Sequence, residues 1–410
     1  MSYKCRTCNS NSFATIFNFG LMPVANNLKV KSKKNQVYEK KYPLKIILCK
    51  KCFLLQTEDK VSVKEIFHSD YKFFSQYSST WLKHAEFFKE KIYKNYLNKK
   101  DKNIICEIAA NDGAFLDKFN NNKNIVYGIE PTKNTVKLAR KKGLKIYNNF
   151  FSKKFARELV NKKLKCDLII ANNVIAHIPK LIDFLKGIKL LLKEDGISSI
   201  EFQYLPNLIK NLQFDTMYHE HFSYFSLHSF NYAAELVGLE IFDSEEIETH
   251  GGSMRVYIKN KENKKLTISK RKIKNINKEI KLGITDIKYY KLFKKNVLKI
   301  KQNSLNLINK NKNNVIGYGA SAKGITFINY LKLSNKNIVA IYDKNPIKAN
   351  HFIPGTQIPI LLSEKLNFIK NKIVIILSWN ISKEIHNELR QYKKNGLKFY
   401  VCIPNIKELK

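Results

Sequence analysis

At 410 residues, 44% hydrophobic and 12% aromatic, the chain is too long for one ordinary domain and rich enough for two or three packed cores. Its formal charge of +40 rests on 74 basic residues of which only six are arginines (Arg6, Arg140, Arg157, Arg255, Arg271, Arg390), with Lys spread among Asn and Ile; this reads as compositional bias and argues against a nucleic-acid reader, which relies on bidentate arginine contacts. The longest apolar runs, such as Ile373-Val374-Ile375-Ile376-Leu377, fall far below the roughly 20 residues of a membrane span, and Met1-Ser2-Tyr3-Lys4-Cys5 lacks a secretion-signal layout, so a cytoplasmic protein without a membrane partner is expected.

The first block, 1–62, carries four of the seven cysteines as Cys5-Arg6-Thr7-Cys8 and Cys49-Lys50-Lys51-Cys52. Two residues between thiolates let both sulfurs of a turn face one ion, and two such turns close a tetrahedral site. Cys5, Cys8, Cys49 and Cys52 are therefore expected to hold a structural zinc with no open position for catalysis. Cys106, Cys166 and Cys402 lie in apolar stretches and read as core.

The second block, 63–245, alternates strands with helices. Strands are expected near 103–109, at Ile125–Glu130, Lys145–Tyr147, Asp167–Ala171 and Ile197–Phe202, with helices at Thr135–Lys142 and Leu181–Leu192. That alternation implies a parallel, doubly wound α/β sheet. After its first strand comes Glu107-Ile108-Ala109-Ala110-Asn111-Asp112-Gly113, where doubly wound folds bind cofactors. Gly113 permits a tight turn. Glu130, followed by Pro131, ends the next strand and is placed to accept both hydroxyls of a ribose. No GxGxxG or P-loop is present, and the acidic loop disfavours a pyrophosphate while tolerating the sulfonium cation of S-adenosylmethionine. Asn172 and Asn173 add polar groups at the same sheet edge.

The densest chemistry runs from Gln213 to Ser226 and includes Tyr218-His219-Glu220-His221. A histidine titrates near neutrality and can act as a base, a neighbouring glutamate can orient it, and a tyrosine can donate to an enolate oxygen. The residues alone do not say which histidine does what.

From about 260 to 313 the chain is Lys-rich. Tyr289, Phe293, Val297 and Ile300 recur at helical spacing, so its second half is expected to be an amphipathic helix. The third block, 246–410, restarts the α/β pattern with strand Asn314–Gly319, helix Ile325–Leu331, and strands Asn337–Tyr342 and Ile373–Leu377. Its turn Gly317-Tyr318-Gly319-Ala320-Ser321-Ala322-Lys323-Gly324 misses the dinucleotide spacing, but Lys323 and the turn amides suit a diphosphate. Asp343, Trp379 and Asn380 end neighbouring strands.

Taken in order, these segments resemble the sugar C-methyltransferases of deoxysugar biosynthesis. The resemblance covers essentially the whole chain. It rests on the four cysteines, on Phe74-Ser75-Gln76-Tyr77-Ser78-Ser79, on Asn111-Asp112-Gly113 and on Asn173-Val174-Ile175-Ala176-His177. It rests further on Phe214-Asp215-Thr216-Met217-Tyr218-His219-Glu220-His221, on His250-Gly251-Gly252-Ser253-Met254-Arg255-Val256, and on the turn at Gly317–Gly324. Ala109 and Ala110 depart from the family's usual Gly and Ser, Ile325 from its Asn, and Gln203 from its Pro.

The resemblance implies a zinc-binding module, a Rossmann-like S-adenosylmethionine methyltransferase domain and a C-terminal Rossmann-like nucleotide-sugar domain. It implies carbon methylation of a nucleotide-diphosphate-linked 4-keto-deoxysugar, at C3, by a monomer or weak oligomer. His221 would be the base, with Glu220, His177 and Tyr218 orienting it or stabilising the enolate and Tyr77 lining the pocket. Tyr77, Ser78, Glu107, Asn111, Asp112, Gly113, Glu130, Pro131, Asn172 and Asn173 would hold the cofactor. His250, Gly252, Arg255, Gly319, Ser321, Lys323, Asp343 and Asn380 would hold the substrate. Methylation of a sugar oxygen or nitrogen, a zinc-containing RNA methyltransferase and a non-catalytic nucleotide-sugar binder are the alternatives.

Overall fold

Short β-branched runs buried on both faces favour parallel strands, and five of them build the centre of the fold. The computed structural model describes residues 3–30, 40–58, 60–62, 75–77, 79–98 and 102–410. Its central sheet has seven strands in the order Leu239–Ile247, Ser253–Asn260, Leu192–Gln203, Cys166–Asn172, Ile104–Ile108, Ile125–Ile129 and Lys145–Tyr147. The last five are parallel; Ser253–Asn260 runs antiparallel to both of its neighbours. Chain order reverses between Ile104–Ile108 and Cys166–Asn172, and a crevice opens outside the carboxyl ends of strands at such a switch point.

Ser253–Asn260, near the start of the third block, pairs within the central sheet. Met254, Val256 and Ile258 are all fully buried, so the strand completes the central sheet. The division between sheets falls after Asn260.

The C-terminal sheet has six strands, ordered Ile360–Leu362, Ile341–Asp343, Val315–Tyr318, Ile373–Ile376, Lys398–Val401 and Lys407–Leu409, with only the last antiparallel. Its switch point lies between Val315–Tyr318 and Ile373–Ile376. The expected strand Asn337–Tyr342 is displaced to Ile341–Asp343: Asn337 instead closes a turn, its side-chain oxygen accepting from the Ser334 amide at 3.0 Å. The Lys-rich connection forms two helices. Lys270–Leu282 starts at the Ser269 cap and stops at Gly283, whose φ of +76° suits glycine. Ile287–Lys310 buries Tyr290, Phe293, Val297, Ile300 and Ile308 on one stripe, so Tyr290 takes the fully buried place anticipated for Tyr289.

The N-terminal module is a four-stranded antiparallel sheet, Phe13–Pro23, Lys41–Cys49, Leu55–Thr57 and Ser223–Tyr224. Its fourth strand comes from the middle of the chain. A further short pair joins Lys29–Val30 to His351–Phe352 of the C-terminal domain. Phe17 packs edge-on against Phe293, and Phe19 against Tyr330, so module and C-terminal domain share one apolar core. No helix among the described residues is long and apolar enough to cross a membrane.

Candidate active site

The four cysteine sulfurs come together as expected. Sγ atoms of Cys5 and Cys52 lie 3.5 Å apart, those of Cys8 and Cys49 also 3.5 Å, and all four fall within 4.8 Å of one another. Zinc–thiolate bonds of about 2.3 Å require sulfurs about 3.8 Å apart at tetrahedral angles, so the donor set fits that ion. Left-handed Asn9 and Phe53, one residue beyond each Cys-x-x-Cys, close the knuckles, and their amides bond back to the Cys5 and Cys49 carbonyls at 2.9 and 3.0 Å. Gln56 Nε2 donates to Cys5 Sγ at 3.2 Å and the Lys51 amide to Cys49 Sγ at 3.4 Å, which favours thiolates.

At the central switch point the cofactor candidates converge. Glu107 is buried at the end of Ile104–Ile108; burial first, and then the Asp112 and Glu130 charges, hold its carboxyl well above the usual range. Its Oε2, both polar atoms of Asn172 and Nδ2 of Asn173 are buried and without partners among the described residues. The loop between them is tightly wound: Ala109, Asn111 and Gly113 all have positive φ, and a Cβ on Gly113 would stand 2.3 Å from Leu144 Cδ1. Glu130 accepts the Asn111 amide at 3.0 Å and the Thr132 amide at 2.8 Å. Asp112 accepts the Gln76 amide at 2.9 Å, tying down the segment that carries Tyr77. Asn148, which sequence reading passed over, donates to the Glu130 and Pro131 carbonyls at 2.9 Å each. Bare polar atoms beside an acidic edge fit a cationic, ribose-bearing cofactor. Ser78 and the side chains of Tyr77 and His250 lie outside the described residues.

The histidines separate by environment. His221 Nδ1 lies 2.8 Å from the Thr216 carbonyl, which can only accept, so Nδ1 carries the proton and Nε2 the lone pair. That Nε2 sits 3.1 Å from the Tyr218 hydroxyl. The His177 ring lies 4.8 Å away, its Nδ1 donating to the Glu220 carbonyl at 2.6 Å; burial lowers its pKa and keeps the ring neutral. His219 is elsewhere, buried beside Tyr42 with Nε2 3.4 Å from the Pro43 carbonyl.

The Glu220 carboxylate turns to Asn26 of the N-terminal module. Its Oε1 accepts from the Asn26 amide and side chain at 2.9 and 3.2 Å, and its Oε2 has no partner among the described residues. The Thr216 carbonyl is what orients His221. Backbone bonds knit this segment together: the Phe222 amide donates to Ala176 at 2.7 Å, and the Phe222 carbonyl accepts from Thr57 at 3.1 Å and from the Arg6 guanidinium.

Of the substrate candidates, Gly319, Ser321, Lys323 and Asn380 gather at the C-terminal switch point. Ser321 caps helix Ala322–Tyr330, and Lys323 Nζ lies 3.3 Å from Asn380 Oδ1. Gly252, with φ of +105°, packs on Asn207. Asp343 is engaged by protein groups, accepting the Ala320 amide of the glycine-rich turn at 2.8 Å and, in its own loop, the Asn345 amide at 2.9 Å and Lys348 at 3.1 Å. Arg255 is a correction. It is fully buried in the central sheet, paired with Glu201 at 2.8 Å and Glu245 at 3.3 Å and stacked 4.5 Å over Phe88, so its guanidinium is committed to that ion cluster.

Three family models match in succession: a zinc binding domain over 5–67, a methyltransferase domain over 81–244, and the C-methyltransferase C-terminal domain over 248–404. A curated relative, C-methyltransferase NovU of Streptomyces niveus, is 27% identical over 98% of this chain and 95% of its own. Solved structures resemble part of the chain. Magnesium protoporphyrin IX methyltransferase of Synechocystis PCC 6803 with bound SAH is 12% identical over 43% of this chain and 82% of that one, with a TM-score of 0.35. A S-adenosylmethionine-dependent methyltransferase of Clostridium acetobutylicum is 15% identical over 43% and 89%, with a TM-score of 0.34.

Proposed function

The chain belongs to the S-adenosylmethionine-dependent C-methyltransferases that carry a zinc-binding module, and from that premise we propose that its acceptor is a nucleotide-diphosphate-linked 4-keto-deoxysugar, methylated at C3. The observation that carries this reading is the His221–Tyr218 pair. An unprotonated imidazole nitrogen and a phenol hydroxyl meet at one point, 3.1 Å apart. Methylation of an oxygen or nitrogen needs at most the base and has no enolate oxygen for the phenol to stabilise. Carbon methylation beside a ketone requires a base for the C–H and a donor for the enolate oxygen.

S-adenosylmethionine, held by Glu107, Asn111, Glu130, Asn172 and Asn173, supplies an electrophilic methyl group when bound. His221 Nε2 removes the proton from the carbon next to the ketone, and Tyr218 donates to the oxygen that becomes negative. Neutral His177 closes the other side of the pocket. The carbon–hydrogen bond is replaced by a carbon–carbon bond to the methyl group, the methyl–sulfur bond breaking to leave the neutral thioether S-adenosylhomocysteine, and the proton leaves through His221, whose imidazolium keeps its bond to the Thr216 carbonyl. Lys323, Ser321 and Asn380 hold the diphosphate. The setting is cytoplasmic synthesis of deoxysugars or surface polysaccharides.

The test is methyl transfer across a panel of nucleotide-linked keto-deoxysugars, with the methylated atom located by NMR. A carbon-bound methyl in the product is expected. His221→Gln is expected to lower turnover by about 10²–10⁴ with cofactor affinity within about twofold. A methyl on oxygen, or normal turnover in the variant, overturns the reading.

A further inference from the structure

The turn that orients His221 makes a contact the chemistry above leaves unused. Asp215, in the turn Phe214–Thr216, has no exposed surface and accepts a 2.7 Å hydrogen bond from the indole of Trp379, 164 residues away in the C-terminal domain. Its Oδ1 has no partner among the described residues. Trp379 follows strand Ile373–Ile376 at the C-terminal switch point, and the Lys323 ammonium lies 4.6 Å above its ring. The ring also presses on Gly251, where a Cβ would come within 2.9 Å of Cη2 at a φ of +90°. Gly251 in turn accepts from Gln213 Nε2 at 2.8 Å, and Phe214 packs on Tyr330 with ring centroids 5.2 Å apart. One side of the turn is thus clamped by the C-terminal domain. Its other side presents the Thr216 carbonyl to His221 Nδ1.

A buried carboxylate is a costly clamp. Burial raises the Asp215 carboxyl to about 6 despite Lys323 and the indole N–H, and a well-packed apolar contact would stabilise the fold at least as well. What it adds is direction: one acceptor oxygen aimed at one donor fixes the turn's orientation, which apolar packing does not.

We propose that Asp215 and Trp379 are positioning residues for His221: their hydrogen bond between domains holds the Phe214–Thr216 turn so that the Thr216 carbonyl keeps the proton on Nδ1 and Nε2 is the unprotonated nitrogen that acts as the base. This rests on the reading of His221 as that base. Lys323, drawn toward an anionic substrate, faces the same indole, so substrate occupancy and base geometry share one residue.

Trp379→Phe keeps a ring beneath Lys323 and deletes the donor, Asp215→Asn keeps the acceptor and deletes the charge, and Asp215→Leu deletes the acceptor at similar volume. In full-length protein with nitrogen-labelled histidine, long-range proton–nitrogen spectra read the tautomer and titration of His221, assigned against His221→Gln, without substrate. Parent and Asp215→Asn are expected to share the Nδ1–H tautomer. Trp379→Phe and Asp215→Leu are expected to show mixed tautomers and a displaced titration midpoint, with cofactor affinity within about twofold and kcat down about tenfold or more at a KM close to the parent's. An unchanged tautomer and midpoint in both variants overturn the proposal even where kcat falls, because the loss is then merely structural. A tautomer change in a protein that turns over no keto-sugar removes the functional reading and leaves the positioning role standing.

Discussion

His221 is oriented by a backbone carbonyl, and the carboxylate beside it in sequence is turned away to Asn26. Adjacent residues in an irregular segment need not point the same way, so the Tyr-His-Glu-His run discloses the chemistry of the pocket without disclosing its pairing. Arg255 shows the same limit: its place in the glycine-rich motif is visible in the sequence, but its ion partner Glu201 is 54 residues away. Asp215 carries a pH prediction at this scale. Its folded-state pKa is raised from 3.8 to about 6 by burial, so the folded chain binds a proton that the unfolded chain has released between those values. Stability from this group is therefore greatest below pH 4, falls as pH rises through about 6, and is level above, by at most about 3 kcal/mol. Asp215→Asn lacks that fall. Its melting temperature is expected to gain on the parent's from pH 4 to about 6 and then level off, read by thermal denaturation at each pH; a constant difference across the range contradicts the assignment.

Among the elements, the parallel strands are legible because short apolar stretches alternate with helical patterns, and the observed Lys145–Tyr147 and Cys166–Asn172 lie where that alternation predicts. Helix Lys270–Leu282 is marked by its Ser269 cap and Gly283 stop, signals that a search for apolar stripes overlooks. Ser223–Tyr224 is not legible, since two residues have no periodicity and its partner strand is Leu55–Thr57. That pairing changes what the zinc module does. The module's sheet, Arg6 from the first knuckle and Asn26 all grip residues 220–224, directly beside the base. Unfilled metal sites of this kind lose local folding free energy. Chelation, or Cys52→Ser, is expected to release one zinc per chain and lower turnover by at least about a hundredfold, with cofactor affinity, measured by calorimetry, within about threefold. Full turnover in zinc-free protein contradicts this coupling.

At the scale of the whole molecule, three sequence blocks become one interlocked body. The core beneath the base draws residues from Ile16 to Ile403, so catalytic segment, zinc module and C-terminal domain are stabilised together. The block order is legible in the sequence, while the interlocking is not, because its contacts join segments hundreds of residues apart. The +40 charge fits this account as a diffuse field that draws anionic small molecules toward Lys323. A chain that makes an enolate before it moves a methyl group exchanges the proton beside the ketone with solvent, which deuterium reads out. The protein is incubated in heavy water with nucleotide-linked 4-keto-6-deoxysugars, without S-adenosylmethionine, and the sugar is read by mass spectrometry. The account predicts that His221-dependent deuterium enters at the carbon beside the ketone, and that a methyl replaces it once the cofactor is added. Methyl transfer with no exchange of that proton, in the presence or absence of cofactor, would contradict it.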